Sequence, residues 1–331
     1  MVSALSPPEA PEGAVSVEQA CAQEVPNTEG RRGRVGQLVE IPTMLGPVTG
    51  YLSATRPAAG LLIAFSGLGA PAWGWINERF AEEGARRGLV TFALIRNESA
   101  RPMFFDPLRE ALRALQASEQ IRAACLLDGP AALVGISMGG LEALLANREA
   151  LRSGMASRVA ALDPVLAPDR VAGHLDSFWH SMSTDVVQDL FRRIFTERYQ
   201  EPGSPSFRRI MDRTRREFAR GNALTDLDRD APSAWICSEP PEGYAVFLSE
   251  TDPVLGQDQR ELVSPCPFRF LPAGEPGHTP LACAPELFER MIEFVAGPAP
   301  QAATPGARPR SLPRRPRARR RPGRRSRKPS L

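Results

Sequence analysis

Between residues 61 and 163 short apolar runs alternate with longer amphipathic stretches, and this alternation constrains the chain more than any other feature. The runs are "LLIAF" (61–65), "LVTFALI" (89–95), "AALVG" (131–135) and "RVAALD" (158–163). Each has the length of a strand and is apolar almost throughout, the pattern of a strand buried inside a parallel sheet. Helical patterns lie between them: one over about 76–88, one over about 106–120 with Leu108, Leu112 and Leu115 at helical spacing, and one opening in "GISMGG" with Leu141, Leu144, Leu145 and Leu151 toward one face. Repeated strand-helix-strand units build a parallel sheet with helices on both faces. Two alternating segments, "GQLVEIPT" and "VTGYLSAT", precede the series and are separated by the turn signal "MLGP". Two further strand signals, "YAVFLS" (244–249) and "CPFRFL" (266–271), and a helix over about 285–295 follow. The expected class is therefore α/β, with a mostly parallel central sheet.

The alternation stops between residues 164 and 235, where the pattern is mostly helical and the spacing suggests an inserted cap. The core is then expected over 35–163 and 236–297. Residues 1–34 are rich in Pro, Glu, Ala and Gly without sustained periodicity, and are expected to be disordered or loosely packed. Residues 298–331 are a Pro/Arg-rich tail that cannot build a core. Charge follows the same division. Of the chain's 41 basic residues, 12 lie in 297–331, which has no acid; the other 29 face 38 acids, leaving that part at −9. Clustered Arg can neutralise phosphates, so the tail could contact nucleic acid or an acidic partner. Solvated chain with no specific partner is the favoured reading.

The five cysteines are far apart, odd in number and form no CxxC pair, which argues against a disulfide framework or a zinc site. With no secretory leader pattern and no apolar run long enough to cross a bilayer, a reduced, cytoplasmic protein is expected.

"LVGISMGG" (133–140) carries the chemistry. Gly135-Ile136-Ser137-Met138-Gly139 has the spacing G-x-S-x-G, follows a strand and opens a helix. A serine there must take a sharp turn, and glycines two before and two after leave room for it. The turn would lift the Ser137 hydroxyl above the sheet and aim the Met138 N–H at a bound carbonyl oxygen. A phosphate loop fits less well: a dinucleotide loop wants G-x-G-x-x-G on the first strand-helix unit, whereas here a serine holds the middle position after several strands, and no Lys is nearby as a P-loop would need. Close packing of helix on strand is the plain alternative.

A serine needs a base, and the chain has three histidines. His174 and His180 lie in the inserted region, six apart, and read as surface or cap residues. His278 lies in "LPAGEPGHTPL", between the last strand and the last helix. An acid must orient the base. Asp252, in "FLSETDPVLG", leads; Asp163, at the end of "RVAALD", and Glu250 are alternatives.

These pieces, G-I-S-M-G after a strand, an acid in "SETDPVLG" and "GHTPL" before the last helix, resemble the α/β-hydrolase-fold serine hydrolases, in that family's order of Ser, Asp, His. The resemblance spans about residues 35–297 and implies Ser137 as nucleophile, His278 as base and Asp252 as acid. It implies a helical cap in the gap between Ser137 and Asp252. It also implies a second oxyanion donor in "FSGLGAPAWGW", where many members have His-Gly and this chain has Ser66-Gly67. The Leu68 N–H leads as that donor, with Gly67 next. Trp73 and Trp75, and the cap residues Phe178, Trp179, Phe191 and Phe195, are either pocket lining or packing.

The implied activity is hydrolysis of an ester-type bond in a small-molecule acyl substrate, with no metal or organic cofactor. A thioesterase, amidase or acyltransferase would use the same residues. A non-catalytic binding protein is the reading from another class.

Overall fold

The apolar runs form the strands, and the pattern that marked them also explains how they are covered. The computed structural model describes residues 13–23, 36–67, 75–95, 107–129, 131–155, 157–167, 231–239, 241–249, 252, 261, 270–272 and 286–297. These belong to a first compact unit, Met1–Ala299; a second unit, Pro300–Leu331, lies outside the described residues. The strands are β1 (Gln37–Ile41), β2 (Val48–Ser53), β3 (Gly60–Phe65), β4 (Leu89–Ile95), β5 (Ala131–Ile136), β6 (Arg158–Leu162), β7 (Tyr244–Leu248) and β8 (Phe270–Pro272). They form one sheet in the order β1-β2-β4-β3-β5-β6-β7-β8. β1 pairs antiparallel with β2, and β2 with β4; every later pairing is parallel.

β3, β5 and β7 are buried at every position. Successive side chains point to opposite faces. Leu61, Ile63, Phe65 and Leu133 therefore join one apolar layer, and Leu62, Ala64, Val134 and Ile136 the other. Helices α3 (Pro107–Ala124) and α4 (Met138–Arg152) cover the first layer. Helices α2 (Trp75–Arg86) and α6 (Glu286–Ala296) cover the second, where Phe80 and Phe288 meet edge to face at 4.9 Å. A short helix, α5 (Pro232–Trp235), precedes β7. No helix among the described residues is long and apolar enough to cross a membrane.

The buried seam of α3 differs from the expected leucine face. Ala111, Ala114, Ala117, Ser118 and Ile121 are buried, whereas Leu108 and Leu115 pack at its margin. Small residues let the helix approach its neighbours closely, and the larger ones then seal the edges.

Two expectations are corrected. The segment expected to be loosely packed contains helix α1 (Val17–Ala22), docked on the core through Val17, Ala20 and Cys21. Ser16 caps it: its hydroxyl accepts from the Gln19 N–H, and the Gln19 side chain accepts from the Ser16 N–H. Val15 also bridges to Val39 of β1. The cysteines are corrected too. Cys21 and Cys125 form a disulfide across 104 residues, with Cα atoms 5.2 Å apart, and Cys237 is also disulfide-bonded. Sequence spacing could not show this, because folding brings α1 against the end of α3. Cysteine usage thus no longer supports a reducing compartment.

The expected cap, with His174, His180, Phe178, Trp179, Phe191 and Phe195, lies almost wholly outside the described residues, as does the tail 298–331.

Candidate active site

Ser137 stands between the last residue of β5 and the first of α4. Its φ is 54° and ψ −120°, a conformation rare for a residue with a Cβ. Four backbone hydrogen bonds hold it there. Its N–H donates to the Leu162 carbonyl of β6 at 2.9 Å, and its carbonyl accepts from Gly140, Leu141 and Val165 at 2.9, 3.2 and 3.3 Å. The neighbouring strand and the new helix thus fix the turn from both sides.

The two glycines of the motif answer to each other. A Cβ on Gly135 would run into the Gly139 carbonyl and come within 2.8 Å of the Ala143 Cβ. A Cβ on Gly139 would run into the Phe65 carbonyl and stand 2.5 Å from the Ser66 oxygen. Helix α4 can therefore start directly beside β5 and against the end of β3 only because both positions lack side chains. Met138 is buried and is the first residue of α4, so its N–H belongs to the helix-start donors that have no intrahelical acceptor.

The chain leaving β3 runs past the nucleophile. A methyl added to Gly67 would lie 3.4 Å from the Ser137 Cβ and 4.0 Å from its Oγ. Ser66, just before it, is buried and bonded to the buried Asn77 of α2: the Ser66 hydroxyl donates to Oδ1 at 3.2 Å, and Nδ2 donates to the Ser66 Oγ at 3.0 Å. The segment expected to supply the second oxyanion donor thus starts beside Ser137. Leu68 itself, and Trp73, lie outside the described residues; Trp75 opens α2.

On the other side, Asp163 directly follows β6 and is 1% exposed. Its φ is 43°, and its N–H donates to the Phe247 carbonyl of β7 at 2.8 Å. Both carboxylate oxygens accept from Ser249, which follows β7: the backbone N–H at 2.7 Å and the hydroxyl at 2.6 Å. Asp163 therefore ties the ends of β6 and β7 together. Asp252 is partly buried, three residues beyond Ser249. Glu250 and His278 lie outside the described residues.

Ser66, Ser137, Asp163 and Ser249 thus follow the carboxyl ends of β3, β5, β6 and β7. In parallel sheets this end collects functional residues, because the loops there converge while the strands fix their bases. Sequence reasoning singled out Ser137, Met138 and the loop after β3 as candidates. It missed Asn77 and Ser249: a polar residue inside an amphipathic helix and a serine at a strand end carry no signal until their partners are known.

No family model and no curated protein matches the sequence. Solved structures match across most of their own length. An esterase of Pyrococcus furiosus is 13% identical with a TM-score of 0.56, covering 82% of this chain and 96% of its own. A probable hydrolytic enzyme from Pseudomonas aeruginosa PAO1 is 18% identical with a TM-score of 0.54, covering 85% and 98%. A thermophilic esterase from Thermogutta terrifontis is 16% identical with a TM-score of 0.53, covering 78% and 97%. Two antiparallel pairings leading into a parallel sheet, a strained serine between a strand and a helix, and these likenesses agree: the chain has the α/β-hydrolase fold.

Proposed function

We propose that the protein is a serine hydrolase that cleaves an ester-type bond through an acyl-enzyme on Ser137. The observation that carries this reading is the Ser137 backbone, held at φ 54° on a turn that two glycines make possible. A strained non-glycine residue at such a turn points to function, since a packing role would be filled more cheaply by glycine. Structural neighbours named as esterases support the same chemistry.

In this mechanism His278 takes the Ser137 proton as Oγ attacks the substrate carbonyl carbon. The N–H groups of Met138 and Leu68 hold the oxyanion, and Asp252 fixes the imidazole tautomer and stabilises its cation. Collapse breaks the bond to the leaving alcohol, which takes the proton from His278. Water then attacks the acyl-enzyme, giving its proton to His278, and the acid departs as Ser137 is restored. Residues 164–235 are assigned the cap that selects the acyl group. Thioester, amide or acyl-acceptor chemistry would use the same residues with a different partner at the carbonyl.

A serine-reactive fluorophosphonate tests the proposal. The wild type is expected to label at Ser137 and to hydrolyse short p-nitrophenyl esters. Ser137→Ala is expected to lose both activities, and His278→Ala to label far more slowly. A folded wild type that neither labels nor turns over any ester would leave the non-catalytic binding reading in its place.

A further inference from the structure

We infer that Asn77 is a positioning residue: its side chain, paired with the Ser66 hydroxyl, fixes the chain leaving β3 at Ser66-Gly67, beside the Ser137 side chain. The inference rests on the serine-hydrolase reading above and adds to it a residue outside the motif.

Three observations converge on this pair. Ser66 and Asn77 are both buried, at 6% and 2% exposure, and their side chains bond reciprocally at 3.2 and 3.0 Å. They stand eleven residues apart, one just past β3 and the other in the first turn of α2. The pair therefore joins the chain leaving β3 to the first turn of α2. Finally, the residue next to Ser66 is Gly67, whose position places it against the Ser137 side chain.

The physical consequence follows from preorganisation. An oxyanion donor works only if it is already aimed at the place where charge develops. A donor on a connection is less exactly placed than one on a helix or strand, unless its own supports are locked. Met138 is fixed by α4. The opposite donor is assigned to Leu68, which the chain reaches from the end of β3 through Ser66 and Gly67. The Ser66–Asn77 pair transfers the rigidity of α2 to that end. Its burial makes it an exacting support, because water does not compete for a hydrogen bond held away from solvent.

Full-length Asn77→Ala, Ser66→Ala and the double variant test this against the wild type. Four quantities are read: kcat and KM on a p-nitrophenyl ester, fluorophosphonate labelling rate, affinity for a trifluoromethyl ketone, and the thermal midpoint. Each single variant is expected to lower kcat and labelling by about tenfold or more, the order produced by small misplacements of reacting groups. KM should stay within about twofold. Ketone affinity should fall in step with kcat, since the ketone adduct carries the oxyanion. The double variant should lose less than the sum of the two single losses, because the shared contact is removed in each case. Should Asn77→Ala not fold, the nearly isosteric Ser66→Cys carries the test, since a thiol is a weaker donor and acceptor than a hydroxyl. Variants that lose thermal stability yet keep kcat and ketone affinity, measured well below their midpoints, would overturn the inference. A wild type inert to fluorophosphonate and esters removes the proposed function and this inference with it. A normal wild type with normal variants removes this inference alone.

Discussion

Ser137 holds a backbone conformation that costs on the order of 1–3 kcal/mol for a residue with a side chain. Bonds to β6 and α4 and the room left by Gly135 and Gly139 keep it there. Gly139→Ala should be the sharpest test of that packing. The new Cβ meets carbonyl groups of Phe65 and Ser66, and backbone cannot yield as a flexible side chain can. Destabilisation of about 1–3 kcal/mol or more is expected in urea unfolding, together with loss of fluorophosphonate labelling. The two aspartates should separate by kind of effect. Asp163→Ala leaves the Ser249 N–H and hydroxyl buried without their acceptor, so about 1–3 kcal/mol of stability should be lost. Asp252→Asn should instead leave the unfolding midpoint nearly unchanged and lower kcat by on the order of 10⁴-fold, as removal of a base-orienting acid does. A larger rate loss in Asp163→Asn than in Asp252→Asn would transfer the acid's role to Asp163.

The central strands were legible in the sequence because burial on both faces demands apolar residues at nearly every position, and no other element of that length asks for this. α3 was legible as a helix but not in its packing: its leucines marked the period, while the alanines between them make the contact. α1 was overlooked, although its capping box stands in the sequence as Ser16-Val17-Glu18-Gln19. A helix of that length has no periodicity to read, and its composition merged with the Pro- and Glu-rich stretch around it. The disulfide to Cys125 ties this short element to the end of α3. Replacing Cys21 and Cys125 by Ser should lower stability by up to about 4–5 kcal/mol on chain entropy alone, given the 104-residue separation. Denaturant midpoints with and without reductant would measure this, and the variant should show no further response of this bridge to reductant. The labelling rate at Ser137 should persist below the midpoint. Cys125 precedes β5 and Ser137 follows it, a strand length of roughly 20 Å between them.

Over the whole molecule the charge is divided as the architecture is. The residues up to 296 carry −9, and the basic tail falls largely in the separate unit Pro300–Leu331. All eight strands and every residue assigned to the site precede that unit. Deleting 298–331 is therefore expected to leave the thermal midpoint and ester hydrolysis unchanged. It should abolish any binding to DNA or heparin that weakens steeply with salt. Binding that survives the deletion would place the contact on the core.

The sequence by itself determined the order of the strands along the chain, the helices α2, α3, α4 and α6, and the position of the turn at Ser137. Those features rest on local rules: burial dictates apolar runs, and a sharp strand-to-helix turn dictates glycines. The tertiary structure alone decided which distant residues meet. Gly67 beside Ser137, Asn77 on Ser66, Asp163 on Ser249 and Cys21 on Cys125 join segments separated by 11 to 104 residues. Parallel strands bring their carboxyl ends to one edge of the sheet however far apart they lie in the chain. Contacts of that kind depend on the sheet order, and no local pattern encodes it.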